Sequence, residues 1–200
     1  MYVALEGIDG CGKSTQVDRL MSSALSPVEQ VRLPYEHTTE FFARLPREHL
    51  GRSLAFAADC ARLMPFVREH LRAGRHVISD RSMLSSWAYQ FETRRWDLTH
   101  LVRMAVDGIR LDAVILLCVP PEEAFARSGE RAHPKVVARY QQMFGGAPQT
   151  VPEWGRIMVA DFPGGWTTWV KRFYVVNGVG HPHDVHLRVL DVLEDVGRRT

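Results

Sequence analysis

Residues 7–15 read GIDGCGKST, and no other stretch of this 200-residue chain restricts the fold as tightly. Gly7, Gly12, Lys13 and Ser14 satisfy the pattern G-x-x-x-x-G-K-[ST], in which main-chain N–H groups converge on phosphate oxygens. Glycine permits the backbone angles that such a wrap around an anion needs. Context carries as much weight as the pattern. Residues 2–5, YVAL, are apolar in the manner of a short buried strand, and residues 14–25 place Val17, Leu20, Met21 and Leu25 at near-helical spacing. Strand, loop and helix make the first βα unit of a phosphate-binding fold. In such a loop Lys13 brings a point charge to the β and γ phosphates, and Ser14 offers a hydroxyl to Mg²⁺. Gly7, Asp9, Gly10, Cys11, Gly12, Lys13, Ser14 and Thr15 are the candidate contacts for ATP. Cys11 reads as a small filler at a variable position rather than a nucleophile.

The alternation continues. VRL at residues 31–33 stops at Pro34, TTEFFARL resumes a helical pattern, and a long helix is expected over residues 48–73, stopping near Gly74. HVISD, residues 76–80, is a strand whose last residue is a carboxylate. A helix-rich stretch covers residues 83–108. AVILLCV, residues 113–119, is β-branched, apolar and uncharged, as a strand buried on both faces should be. FYVVN, residues 173–177, is the last strand before an amphipathic C-terminal helix. These elements predict a three-layer α/β fold of the P-loop NTPase type, with a parallel five-stranded sheet and helices on both faces. No repeat, low-complexity tract or linker divides the chain, so residues 1–200 are expected to form a single domain.

Composition removes several classes. A formal net charge of +2 is too small for a nucleic-acid surface, and Lys13, Lys135 and Lys171 are the only lysines beside many arginines. Arginine suits bidentate phosphate contacts, although most of these residues serve as solubilising charge. Cys11, Cys60 and Cys118 are odd in number and widely spaced, which argues against a disulfide framework or a zinc site and for a reduced, cytoplasmic setting. The apolar start is too short for a signal segment, and no run approaches the roughly 20 apolar residues of a membrane span.

The second chemical signal is SDRSMLSSWAYQ, residues 79–90, which sets Asp80 and Arg81 at the carboxyl end of a strand, where open α/β sheets bind ligands. Alone, the pair would read as a helix cap with a surface arginine. The wider stretch LAFAADCARLMPFVREHLRAGRHVISDRSMLSSWAYQ, together with EGIDGCGKSTQ, LPYEHTTEFFARL, VPPEEAFAR and RFYVVNGVGHPHDVHLRVLDVL, resembles the thymidylate kinase family. The resemblance implies that ATP and Mg²⁺ serve transfer of a γ-phosphoryl group to a pyrimidine deoxynucleoside monophosphate, with dTMP becoming dTDP. It implies that Phe56 stacks on the pyrimidine, that Arg81 holds the acceptor phosphate, and that Tyr89 lies under the deoxyribose. Asp9 and Ser86 are then also acceptor contacts, and Ser14 and Asp80 face the metal. Taken alone, Phe56 and Tyr89 would read as core aromatics. With Gly10 in place of the arginine that some family members carry in the loop, the migrating phosphoryl falls to a lid over about residues 127–139, where Arg127 and Arg131 flank SGE and join Lys13, Asp80 and Arg81 as candidate catalytic residues. The resemblance further implies a homodimer.

Three departures bear on substrate choice. Cys60 stands where the family's Phe-Ala-x-Asp motif is followed by an arginine that reaches thymine, and a thiol is a weak donor. His37 stands near an arginine that helps hold the acceptor phosphate, and keeps a charge only when protonated. Ser82 replaces an aromatic. These changes leave open a kinase for a base-modified or hydroxymethylated pyrimidine nucleotide, or a nucleotide-binding regulatory protein without transfer. Residues 145–171 add length and three of the five tryptophans; they could cover the acceptor site, form an oligomer contact or pack on themselves. The histidines of GHPHDVH open the last helix and read as capping and solvated surface, and the turn at residues 177–180 is expected beside the adenine.

Overall fold

In a computed structural model that describes residues 1–23, 28–46, 49–90, 98–130, 132–144, 153–157 and 169–199, the chain alternates strands and helices. The first half runs β1 (Tyr2–Glu6), α1 (Lys13–Ser22), β2 (Val28–Arg32), α2 (Glu36–Ala43), α3 (Leu50–Arg72) and β3 (His76–Asp80). The second runs α4 (Met83–Gln90), α5 (Leu98–Val106), β4 (Ala113–Cys118), α6 (Pro121–Ser128), α7 (Pro134–Phe144), β5 (Trp154–Ile157), β6 (Phe173–Asn177) and α8 (Pro182–Gly197). Helix boundaries follow local chemistry. Pro121 opens α6 where its missing N–H costs nothing, and Gly129, at φ 72°, closes it in the left-handed conformation. His181 caps α8, accepting from the His183 N–H at 3.3 Å, but His186, expected at the solvated surface, is buried with its Nδ1 3.2 Å from Gln16 Oε1 because it falls on the inner face of the helix.

The sheet order is β2-β3-β1-β4-β6-β5. The first five of these strands are parallel, as expected, and every residue of β1 and β4 is buried because helices cover both faces. The sixth is an addition. β5 lies antiparallel on β6, pairing Trp154 with Val176, and it comes from the added 145–171 segment. β5 stands at the sheet edge opposite β2, whereas the buried Val170 bridges to Leu111 ahead of β4 and the buried Trp169 packs near Cys60 and Met83. Through β5 the added segment extends the sheet at the edge away from β2, and through Trp169 it packs toward α3.

This topology fixes where a ligand can go. β1 is flanked by β3 on one side and β4 on the other, which makes it the switch point where the order reverses and a crevice opens beyond the strand ends. Register places Leu5 opposite Asp80 and Glu6 opposite Leu116, so the phosphate-loop motif and the Asp80–Arg81 pair emerge side by side. No helix among the described residues is long and apolar enough to cross a membrane.

Candidate active site

The loop after β1 is shaped by its glycines. Gly12, at φ 98°, is the left-handed residue from which α1 departs. Gly10, at φ 82°, lies so close to α6 that a Cβ there would stand 2.1 Å from the Ala124 carbonyl oxygen. A side chain at position 10 is thus excluded twice, by backbone angle and by contact, and an arginine in this loop has no room. Lys13, only 5% exposed, donates from Nζ to the Gly7 and Ile8 carbonyls at 3.1 and 2.9 Å, with Cys11 Sγ at 3.5 Å. These bonded partners are neutral, which leaves the buried ammonium fitted to an anion in the loop.

One residue on, Ser14 Oγ donates to Asp80 Oδ2 at 2.7 Å, and Arg32 Nε stands 3.8 Å from the same oxygen. A hydroxyl and a buried carboxylate beside a phosphate loop are the hard oxygen donors that Mg²⁺ takes while keeping waters and phosphate oxygens.

Arg81 follows Asp80 with φ 76°, an uncommon conformation for a residue with a side chain, held by its N–H on the Leu5 carbonyl at 3.0 Å. Its guanidinium ion-pairs with Asp9, donates to Ser85 Oγ at 3.2 Å, and lies 5.1 Å from the Tyr89 ring centroid. Tyr89 in turn donates its hydroxyl to Asp9 Oδ2 at 2.9 Å. Burial pushes the Asp9 carboxyl up, but the Arg81 and Lys13 charges and the Tyr89 and Arg81 hydrogen bonds outweigh it and hold the group below its ordinary value. Burial opposes the Arg81 charge as well, yet its neighbours Tyr89 and Asp9 keep it protonated well above the ordinary range. The result is a fixed cation next to the loop.

A cleft of about 1280 Å³ runs across these groups. At one end it is lined by the phosphate loop, Arg127, Gly178, Gly180 and Pro182, which puts the expected adenine turn on the wall. Arg127 ion-pairs with Glu123 and donates to the Gly178 carbonyl at 3.0 Å, bridging α6 to that turn above Gly12. At the other end stand Arg32, Leu33, Tyr35, Thr39, Glu40 and Ala43.

Not every expected contact reaches the cleft wall. Phe56 and Cys60, each 3% exposed, lie within the hydrophobic core, and burial pushes the Cys60 thiol up to about 12, with the Asp59 charge adding to it. Cys60 faces a small internal cavity with Met64, Met83 and Trp169. Ser86 is buried on α4. His37 is exposed on α2 with its ring edge-on to Tyr35, 5.5 Å between centroids. Tyr89 meets the site through Asp9 and Arg81. Arg131 lies outside the described residues, and Arg139 donates to the Ala88 carbonyl at 2.7 Å.

Sequence reading missed a second set. Tyr35 lines the cleft, its N–H bound to Asp59 Oδ2 at 2.8 Å and its ring 4.6 Å from the Arg62 guanidinium. Arg32, Thr39, Glu40 and Gln16 join it on the wall, and Glu6 is wholly buried beneath it. Only Glu6 carried a signal, as an acid ending an otherwise apolar strand.

Comparison with known proteins bears on this geometry. The family model for thymidylate kinase matches residues 5–146, from the end of β1 past α7. The chain belongs to the thymidylate kinase family. As a member it is a nucleoside monophosphate kinase, a phosphotransferase, and its matched span includes Lys13, Asp80, Arg81 and Arg127. A probable thymidylate kinase of Thermococcus onnurineus is 35% identical over 150 residues, covering 66% of this chain and 73% of that protein. The thymidylate kinase of Parasynechococcus marenigrum is 34% identical over 156 residues, 66% of this chain and 73% of its own. That of Helicobacter pylori is 30% identical over 142 residues, 68% and 72% respectively. In this thymidylate kinase-family chain β5 lies beyond the matched residues.

Proposed function

We propose that the chain transfers the γ-phosphoryl group of ATP to dTMP, forming dTDP. The observation that carries this reading is the continuity of the cleft from Lys13 and the Ser14–Asp80 pair to Arg81 and Asp9. A protein that only bound a nucleotide would need the loop; a second fixed cation at the neighbouring strand end suits a second phosphate.

The steps fall to residues of this chain. Lys13 draws the β and γ phosphates toward the loop and neutralises charge that grows on the bridging oxygen. Ser14 and Asp80 would hold Mg²⁺, which would supply Lewis-acid stabilisation of the phosphate charge. Arg81, oriented by Asp9 and Ser85, holds the acceptor phosphate with one oxygen free to attack in line, and Tyr89 walls the sugar. Arg127, and Arg131 from the lid over about residues 127–139, close on the migrating group and exclude water. A covalent intermediate on the protein is unnecessary. The proposal includes a cytoplasmic homodimer, which sedimentation of the purified protein tests.

Relative kcat/KM for dTMP, dUMP, 5-hydroxymethyl-dUMP, dCMP, UMP and dGMP with Mg-ATP tests the reading. dTMP should lead. A lead for the hydroxymethyl nucleotide would move the chain to a base-modified substrate.

A further inference from the structure

The most heavily bonded side chain beside the cleft has no task in the chemistry above. Glu6, the last residue of β1, is 0% exposed. Its Oε1 accepts from the Ser82 N–H and Ser82 Oγ, both at 2.7 Å, and from the Ser85 N–H at 3.2 Å. Its Oε2 accepts from Ser85 Oγ at 2.8 Å and from the Tyr140 hydroxyl at 2.9 Å. Burying a carboxylate is costly unless its lone pairs are satisfied, and these donors meet that cost.

The two oxygens do different things. Oε1 anchors the start of α4, which an uncharged acceptor could also do. Oε2 takes the single proton of the Ser85 hydroxyl, and a hydroxyl that has given its proton away has only lone pairs left to offer. One of those lone pairs faces Arg81, whose Nη1 donates to Ser85 Oγ. We propose that Glu6 is a positioning residue for Arg81: by claiming the Ser85 proton it fixes Ser85 as an acceptor, and so holds the guanidinium toward Asp9 and the acceptor phosphate. Through Tyr140 the same oxygen ties α7 to this point. The proposal rests on the reading of Arg81 as the group that binds the acceptor phosphate.

Glutamine in place of Glu6 has one acceptor oxygen and one NH₂ group. With the oxygen on the Ser82 side, the NH₂ meets Ser85 Oγ, which must then accept and turn its own proton toward Arg81, donor against donor. The experiment is steady-state kinetics with dTMP and ATP varied separately, together with melting temperatures, for E6Q, S85A and the double variant. E6Q should raise the KM for dTMP about tenfold, the scale of a lost hydrogen bond to a charged group, and leave the KM for ATP unchanged. S85A should do the same, and the double variant should be no worse than either single one, since both break one relay. A purely structural role would lower the melting temperature without separating the two KM values. An unchanged KM for dTMP in E6Q, or an equal rise for ATP, overturns the proposal. Should E6Q not fold, S85A decides it alone: an unchanged KM for dTMP overturns it. Arg81→Ala separates this from the underlying reading. If that variant binds dTMP normally the reading of Arg81 fails; if it binds poorly while E6Q and S85A do not, only the role of Glu6 fails.

Discussion

The two ends of the cleft are made by different means. The loop end is made by backbone: Gly10 and Gly12 set its angles, carbonyls hold Lys13, and the register of β1 on β3 brings Asp80 to Ser14. The α2 end is made by side chains from separate segments: Tyr35 is held by Asp59 and covered by Arg62, and Arg32 reaches from β2. On the proposed reading, the chemistry common to all phosphoryl transfer sits at the end that backbone dictates. The same reading assigns selectivity for an acceptor to the end where single substitutions can change the wall.

Substitutions can break this contrast. Lys13→Ala should lower kcat by about a thousandfold or more, because the removed charge acts on the transition state, while the melting temperature stays near wild type. A merely moderate loss would mean that the loop end is not where charge is neutralised. Cys60→Arg restores the family's residue but puts it in the core, where a charge without a partner should destabilise the fold by about 3–5 kcal/mol, read as a lower denaturation midpoint. Improved use of dTMP at unchanged stability would place position 60 on the cleft and redraw the α2 end. Tyr35→Ala should raise the KM for the acceptor by roughly fivefold through loss of an aromatic wall, with the KM for ATP unaffected.

The smallest effect concerns pH. Asp9 titrates below its ordinary 3.8, so the folded chain binds fewer protons there than the unfolded one. Its contribution to stability is complete above pH 3.8 and is lost as pH falls through the depressed folded value. Thermal melts across that acid range should fall less steeply for Asp9→Asn than for wild type. Identical slopes would mean that the Arg81–Asp9 pair adds nothing to the fold, as its partial exposure to solvent already limits it.

The same contrast explains what was legible. Contiguous residues disclosed the loop, Lys13, Ser14 and the strand ending at Asp80, because a strand–loop–helix motif is a local object. The five parallel strands were legible as apolar runs. β5 was not, since a short edge strand with a glycine between tryptophan and arginine has little pattern of its own and is set by pairing with β6. Tyr35 was hidden for a similar reason: its place on the wall depends on Asp59 and Arg62, and long-range contacts leave no periodicity. Phe56 and Cys60 point the other way. Both fall on the inner face of α3, and burial there follows from packing against the sheet, which a motif cannot report.

The most direct test is phosphorus NMR of purified protein with Mg-ATP and dTMP. The account predicts loss of the ATP γ signal with matching growth of dTDP, and none with Lys13→Ala. Tight ATP binding with no dTDP formed would contradict it and leave a nucleotide-binding protein that has the loop without the transfer.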